Sequence, residues 1–229
     1  MALDVYVMPL WRFKVGDFHS PVESATGLRP TILTAEGIVR LRTRVRWLAR
    51  WRARRQVAII RKAVEASSGR PAHWNDEGGV VYSSQSPGFT SLRTFAKWLD
   101  CRDRFPSFEP PKKWNDYEHP ILAAELRLRT CPQLVEHSCY SGYFLPCEFE
   151  SLVQVEPFMM LGRWPMTRQA GSTPQLLREL DRVQEVLQVP DGYEYDESDP
   201  FARVKESYRQ LREIARLSNH HGLPMIFWG

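Results

Sequence analysis

The sequence predicts an α+β fold: a mixed or antiparallel sheet with about four helices, one of them long and Arg-rich. Three observations predict it. Segments of alternating apolar and polar residues read as strands, and helical apolar stripes lie between them. Two of the helices open on a cap-then-proline pair.

Leu3–Met8 reads as the first strand, with Leu3, Val5 and Val7 alternating with Asp4 and Tyr6. Pro9 ends it, and a loop rich in Gly, Pro and Ser follows to about Pro30. Thr34 is a candidate cap with Glu36 in the first turn, so a basic helix is expected over about 34–66. Its expected apolar side carries Ile38, Leu41, Val45, Leu48, Ile59 and Ala63. Val80–Ser83 is a short strand candidate, and Ser91–Arg104 an amphipathic helix buried through Leu92, Phe95, Ala96 and Leu99. The Pro-rich segment 105–120 reads as a loop. Leu134–Ser138 and Gly142–Phe149 read as two strands joined by a three-residue hairpin loop at Cys139-Tyr140-Ser141. Thr173-Pro174 and Asp199-Pro200 each start a helix. The first buries Leu176, Leu180, Val183 and Leu187; the second buries Phe201, Val204, Tyr208, Leu211 and Ala215 and stops at Gly222. Leu223–Trp228 reads as a buried final strand. With no convincing linker, residues 1–229 are expected to form a single globular domain.

Composition narrows the function. The chain has 229 residues, 43% of them hydrophobic and 25% charged, which is enough to bury a core without metal or disulfide staples. The longest uncharged stretch, Gly78–Leu92, is too short and too polar to cross a bilayer. Asp4 interrupts the first apolar run, so no secretory leader is read, and a cytoplasmic location is expected. The four cysteines are expected to be reduced. Walker A, G-x-G-x-x-G, H-E-x-x-H, G-x-S-x-G and C-x-x-C motifs are absent. No cofactor and no metal are therefore expected, and the reading leans away from an enzyme.

Charge is segregated along the chain. Lys and Arg total 31 and Asp and Glu 27, a net +4. Ten of the positive residues (Arg40, Arg42, Arg44, Arg46, Arg50, Arg52, Arg54, Arg55, Arg61 and Lys62) fall in 37–64, which holds no acid. The rest of the chain is net −6. Asp191–Asp199 alone places five acids in nine residues with no Lys or Arg. If that segment packs on the basic helix, the two fields cancel within the fold.

Arg42, Arg46, Arg50 and Arg54, spaced by four, line one helical face, with Trp47 and Trp51 beside them. Six of the eight tryptophans (Trp11, Trp47, Trp51, Trp98, Trp114 and Trp164) adjoin a Lys or Arg. Arg and Trp are preferred hot-spot residues, and Lys113-Trp114 in the Pro-rich loop looks like a contact site. The bland alternative is that Arg and Lys stems cover half-buried indoles. The preferred reading is a protein-binding module, in its most concrete form an immunity- or antitoxin-like protein. Its partner contacts would come from Arg42, Arg46, Trp47, Arg50, Trp51, Arg54, Lys113 and Trp114. The alternative is a nucleic-acid-binding protein that uses the basic helix. A third reading centres an enzyme or metalloprotein on His137 and Cys139, with Cys131 and Cys147 nearby; its C-x5-H-x-C-x7-C spacing matches no common zinc pattern.

Leu3-Asp4-Val5-Tyr6 and the run from His137-Ser138 through Gly142-Tyr143-Phe144-Leu145-Pro146 resemble a group of small, functionally uncharacterised bacterial proteins. These carry an early Leu-Asp-Val-Tyr strand and a later His-Ser-x-x-x-Gly-Tyr-Tyr-Leu-Pro segment, with Phe144 here in place of the second Tyr. The resemblance implies a bacterial cytosolic protein and transfers no catalytic residue.

Overall fold

Alternation along the N-terminal strand β1 (Leu3–Val7) sets the architecture, because its even and odd residues enter different cores. The computed structural model describes residues 3–18, 31–34, 37–40, 46–86, 88–114, 116–137, 141–160 and 164–228, with side chains at all but 31–34, 37–40, 157–160 and 164–166. In chain order the elements are β1, α1 (Leu10–Lys14), β2 (Thr31–Thr34), β3 (Gly37–Arg40), α2 (Trp47–Ser68), β4 (Tyr82–Ser86), α3 (Thr90–Trp98), α4 (Pro120–Ala123), α5 (Pro132–Glu136), β5 (Ser141–Leu145), β6 (Val153–Met160), β7 (Trp164–Ser172), α6 (Thr173–Leu187), α7 (Ala202–His221) and β8 (Met225–Trp228).

Six strands form one mixed sheet in the order β4-β1-β8-β5-β7-β6, with only β5 and β7 parallel; β2 and β3 pair separately. The expected α+β class holds. Leu3, Val5, Val7, Phe144, Met225 and Phe227 point to a core shared with α3, α5, α6 and α7. Tyr6, Met8, Tyr143, Leu145 and Ile226 point the other way, to a core shared with α1, α2 and Trp74. Each fully buried Val, Ile, Leu or Phe contributes about 1.5–3 kcal/mol, so both layers are held chiefly by this alternation.

The two helices that open on proline, and the final strand, form close to where the sequence predicts them. Ser172 caps α6 by accepting the Gln175 N–H at 3.2 Å. Gly222, at φ 63°, closes α7 in the left-handed conformation.

Two expectations fail. The long helix covers Trp47–Ser68, not 34–66, because β-branched residues on either side of Thr34–Gly37 pair as a hairpin, with Ile32 opposite Val39 and Thr34 opposite Gly37. Arg40 therefore lies on β3, and Arg42 and Arg44 fall outside the described residues. The buried stripe of α2 is Ala53, Val57, Ile60 and Val64, leaving Leu48 and Ile59 exposed. The second failure is the Leu134–Ser138 strand and its hairpin. Pro132 opens α5 instead, and the buried Glu179 carboxylate of α6 accepts the N–H groups of Gln133 at 3.2 Å and Leu134 at 2.8 Å. This cap arrives from 45 residues away, so no local pattern announces it. Strands β6 and β7 were not anticipated at all.

The resembling segment sits at the sheet centre. His137, 2% exposed, stacks on Phe144 with centroids 4.2 Å apart, and its Nε2–H donates to the Tyr143 carbonyl at 3.1 Å. Gly142 has φ +149°, and a Cβ there would stand 2.7 Å from the Gln169 carbonyl oxygen and 2.9 Å from the His137 ring. Gly142→Ala is expected to cost about 2–5 kcal/mol from strain plus overpacking. Thermal unfolding should then shift down by roughly 5–15 °C; an unchanged midpoint would remove this account of the motif.

Candidate functional site

The outer side of α2 carries the basic residues. Opposite its buried stripe, Trp47, Leu48, Trp51 and Ile59 are 73%, 47%, 54% and 56% exposed, with Arg55 and Lys62 among them. Arg55 lies over the Trp51 ring at 5.6 Å. On the flank toward α1, Arg50 and Arg54 cover the buried Trp11 ring at 4.8 and 5.4 Å, and Arg54 lies 3.5 Å from Glu77. Arg61 covers Trp74 at 4.5 Å and reaches Asp76 at 2.7 Å. Arginine stems thus cover Trp11 and Trp74, whereas Trp47 and Trp51 stand out from the fold. Of the predicted contact residues, Arg46, Trp47, Arg50, Trp51 and Arg54 are brought together on one exposed helix. Arg42 lies outside the described residues.

Lys113 and Trp114 are placed elsewhere, beside the acidic segment. Trp114 stacks on Tyr195 with centroids 6.2 Å apart, and Arg203 lies over the Trp114 ring at 5.8 Å. Arg203 also donates to the Pro111 and Lys112 carbonyls, tying the Pro-rich loop to the start of α7. Lys113 is exposed.

The connection from α6 to α7 is itself well fixed. Asp196 accepts from the Ser198 N–H at 2.9 Å and the Ser198 hydroxyl at 2.8 Å. Asp199 accepts the Phe201 N–H at 2.8 Å and pairs with Lys205 at 2.7 Å. The Ser198 N–H and hydroxyl hold the Asp196 carboxyl below its ordinary range. At Asp199, burial pushes upward, but the Lys205 and Phe201 bonds outweigh it, so that carboxyl is lowered as well. Asp191, Glu194, Asp196 and Glu197 are exposed, and among the described residues the ion pair of this segment is Asp199–Lys205.

This segment and α2 lie on opposite sides of the sheet. Val189, Tyr193 and Phe201 join the core under α6 and α7, while Ala53, Val57, Ile60 and Val64 join the core on the other face. The basic helix and the acidic segment therefore do not cancel each other within one molecule.

Of the expected thiol centre, the structure describes His137, Cys131 and Cys147. His137 follows α5 at its C-terminal end and is buried against Phe144, and its Nε2–H donates to the Tyr143 carbonyl. Cys139 lies outside the described residues. Burial pushes the Cys131 thiol up strongly and that of Cys147 to about 12. Among the described residues no three His, Cys, Asp or Glu side chains converge on a metal-sized site. No helix among them is long and apolar enough to cross a membrane.

Two polar clusters escaped sequence reasoning. Asp76 gathers the indoles of Trp11 and Trp74 and the Arg61 guanidinium at 2.7, 3.0 and 2.7 Å. Glu156 joins Lys14 at 2.5 Å, the Tyr143 hydroxyl at 2.9 Å and Arg168 at 3.6 Å. Both unite residues far apart in sequence (Trp11 with Asp76, Lys14 with Glu156), and each charged member alone reads as an ordinary surface charge. A cleft of about 470 Å³ beside α3 contains Arg93 and Lys97, which hold the Val135 and Leu122 carbonyls and so brace the backbone there.

With this geometry in hand, comparison with known proteins is informative at one level. The chain belongs to the family described as "Putative DNA-mimic protein", whose model matches residues 1–227. Comparison with curated proteins and with solved structures returned no significant match.

The raised thiols make a kinetic prediction. At neutral pH an alkylating reagent should label Cys131 and Cys147 at least roughly a hundredfold more slowly in the folded chain than in urea, since only the thiolate reacts. Peptide mass spectrometry over time would check this, and labelling of either at the unfolded rate would restore a nucleophile reading.

Proposed function

We propose that the protein is a non-enzymatic binding module that acts as a DNA mimic. Its acidic loop, Asp191–Asp199, occupies the phosphate-contacting surface of a DNA-binding protein. Membership of the family supports the class, and the loop is the observation that carries the reading. Nine residues span at most about 30 Å, so the four carboxylates outside the Asp199–Lys205 pair give at least one charge per ~7.5 Å. One DNA strand carries one per about 3.4 Å. The loop thus presents charge at roughly half the density of a strand, over a few phosphates. It is held in place by Ser198, Phe201, Lys205 and the Trp114–Tyr195 stack, so little ordering entropy is lost on docking. Asp196 and Asp199 stay ionised below the ordinary carboxylate range, as phosphates do.

On this reading Lys113 and Trp114 border the docking face, with Trp114 as its aromatic anchor. Where the partner is a toxin that acts on DNA, occlusion of its groove makes the chain an immunity- or antitoxin-like protein. Arg46, which precedes α2, and the α2 residues Trp47, Arg50, Trp51 and Arg54 form a second contact surface.

The test uses the purified chain as bait for the host's DNA-binding proteins, followed by competition with duplex DNA for each captured partner. Duplex and bait should exclude one another. The combined variant Asp191→Asn, Glu194→Gln, Asp196→Asn, Glu197→Gln should lose at least about fourfold in affinity, as four surface charges at 0.2–1 kcal/mol each imply. A partner that holds duplex and bait together, or that binds the neutralised variant equally well, would contradict the mimic.

A further inference from the structure

We infer that the outer face of α2 is a docking surface for the acidic loop of a second copy of this chain, so that copies associate head to tail. The inference stands apart from the partner proposed above, although it engages the same acidic loop.

The first ground is the unpartnered face itself. α2 satisfies its packing through Ala53, Val57, Ile60 and Val64, yet Trp47, Leu48, Trp51 and Ile59 on its other side remain more than two-fifths exposed. Two tryptophans one turn apart on a solvent-facing helix are an exposed apolar patch of the kind that marks an interaction site.

The second ground is charge complementarity. Arg52, Arg55 and Lys62 frame this patch, and the helix holds no acid before Glu65. The chain carries the matching surface: the four exposed carboxylates Asp191, Glu194, Asp196 and Glu197, with Tyr195 exposed among them and Val186 exposed on α6. Aromatic, aliphatic and acidic groups there answer aromatic, aliphatic and basic groups on α2. The six-stranded sheet separates the two within one molecule, so they can meet only between molecules. Duplex DNA would satisfy the arginines but would leave Leu48 and Ile59 without apolar partners, which favours a protein occupant.

Two different patches in contact make a heterologous interface, which propagates unless its rotation closes a ring. Its strength is bounded by size. A 22-residue helix is about 33 Å long and presents a face roughly 10 Å wide, which falls in the class of small, weak interfaces. Micromolar, salt-sensitive association follows.

Sedimentation of the purified full chain, from about 1 to 100 µM in roughly 50 mM and 500 mM salt, tests this. The mean mass should pass that of a dimer at high concentration and fall back toward the monomer at high salt. A variant with Trp51→Ala and Arg55→Glu, and another with Asp196→Lys and Glu197→Lys, should each remain monomeric alone. Mixed, they retain one intact pair of surfaces and should form a 1:1 dimer that grows no further. All four substituted residues are exposed, and circular dichroism confirms that each variant is folded. Carbodiimide should couple Lys62 to the 191–199 segment in the dimer band and not in the monomer band. A monomer at every concentration overturns the inference. So does association that survives both variants, or a mixed sample that stays monomeric. A labelled duplex bound through α2 by a chain that never self-associates would assign the face to nucleic acid instead.

Discussion

Burial of both faces of one mixed sheet is the constraint on which the rest of the molecule depends. Because successive side chains of a strand point to opposite sides, β1, β5 and β8 each feed two cores at once. Two helical layers are then required, and they differ in charge. The layer with α2 carries the arginine-rich helix, and the layer with α6 and α7 carries the acidic connection. A net +4 therefore describes neither surface.

The sheet centre is fixed by a small set of residues that serve packing rather than chemistry. His137 lies beneath Gly142, hydrogen-bonds the Tyr143 carbonyl and stacks on Phe144, while the absence of a side chain at Gly171 leaves room for that Phe144 ring. Glu179 and Gln133 then link α5, α6, the Phe149 carbonyl beyond β5 and the end of β7 through buried hydrogen bonds. His137, Gly142, Tyr143 and Phe144 of the resembling segment are thus built into the sheet centre. The chain's distinctive chemistry lies on its periphery, at α2 and at the acidic connection, where charges are exposed and aromatic rings lie beside them.

Much of this was legible in the amino-acid sequence where a local signal coincides with the tertiary outcome. β1 shows period-two alternation, Thr173-Pro174 marks the start of α6, although Ser172 and not Thr173 is its cap, and Gly222 ends α7. The charge segregation was legible too, as was the exposure of Trp47 and Trp51. The residues that misled did so for physical reasons. Ile38, Leu41 and Val45 continue the apolar period of α2 backward, but hairpin pairing at 31–40 competes with the helix and wins. The expected strand at 134–138 would set His137 and Cys139 on one face, but the Glu179 cap supplied by α6 makes 132–136 helical. The hubs at Asp76 and Glu156 depend on contacts between distant segments, which periodicity does not encode. Trp114 and Tyr195 lie eighty-one positions apart, and only the fold brings the Pro-rich loop to the acidic one.

The separation of the two charged surfaces is the central claim, and a distance measures it most directly. Spin labels on bio-orthogonal residues at positions 55 and 197, read by dipolar spectroscopy in dilute high-salt solution, should give one narrow distribution centred beyond ~20 Å, two layer spacings of about 10 Å each. A dominant population near ~10 Å would mean that the acidic loop folds onto the basic helix, and the two-sided account would fail.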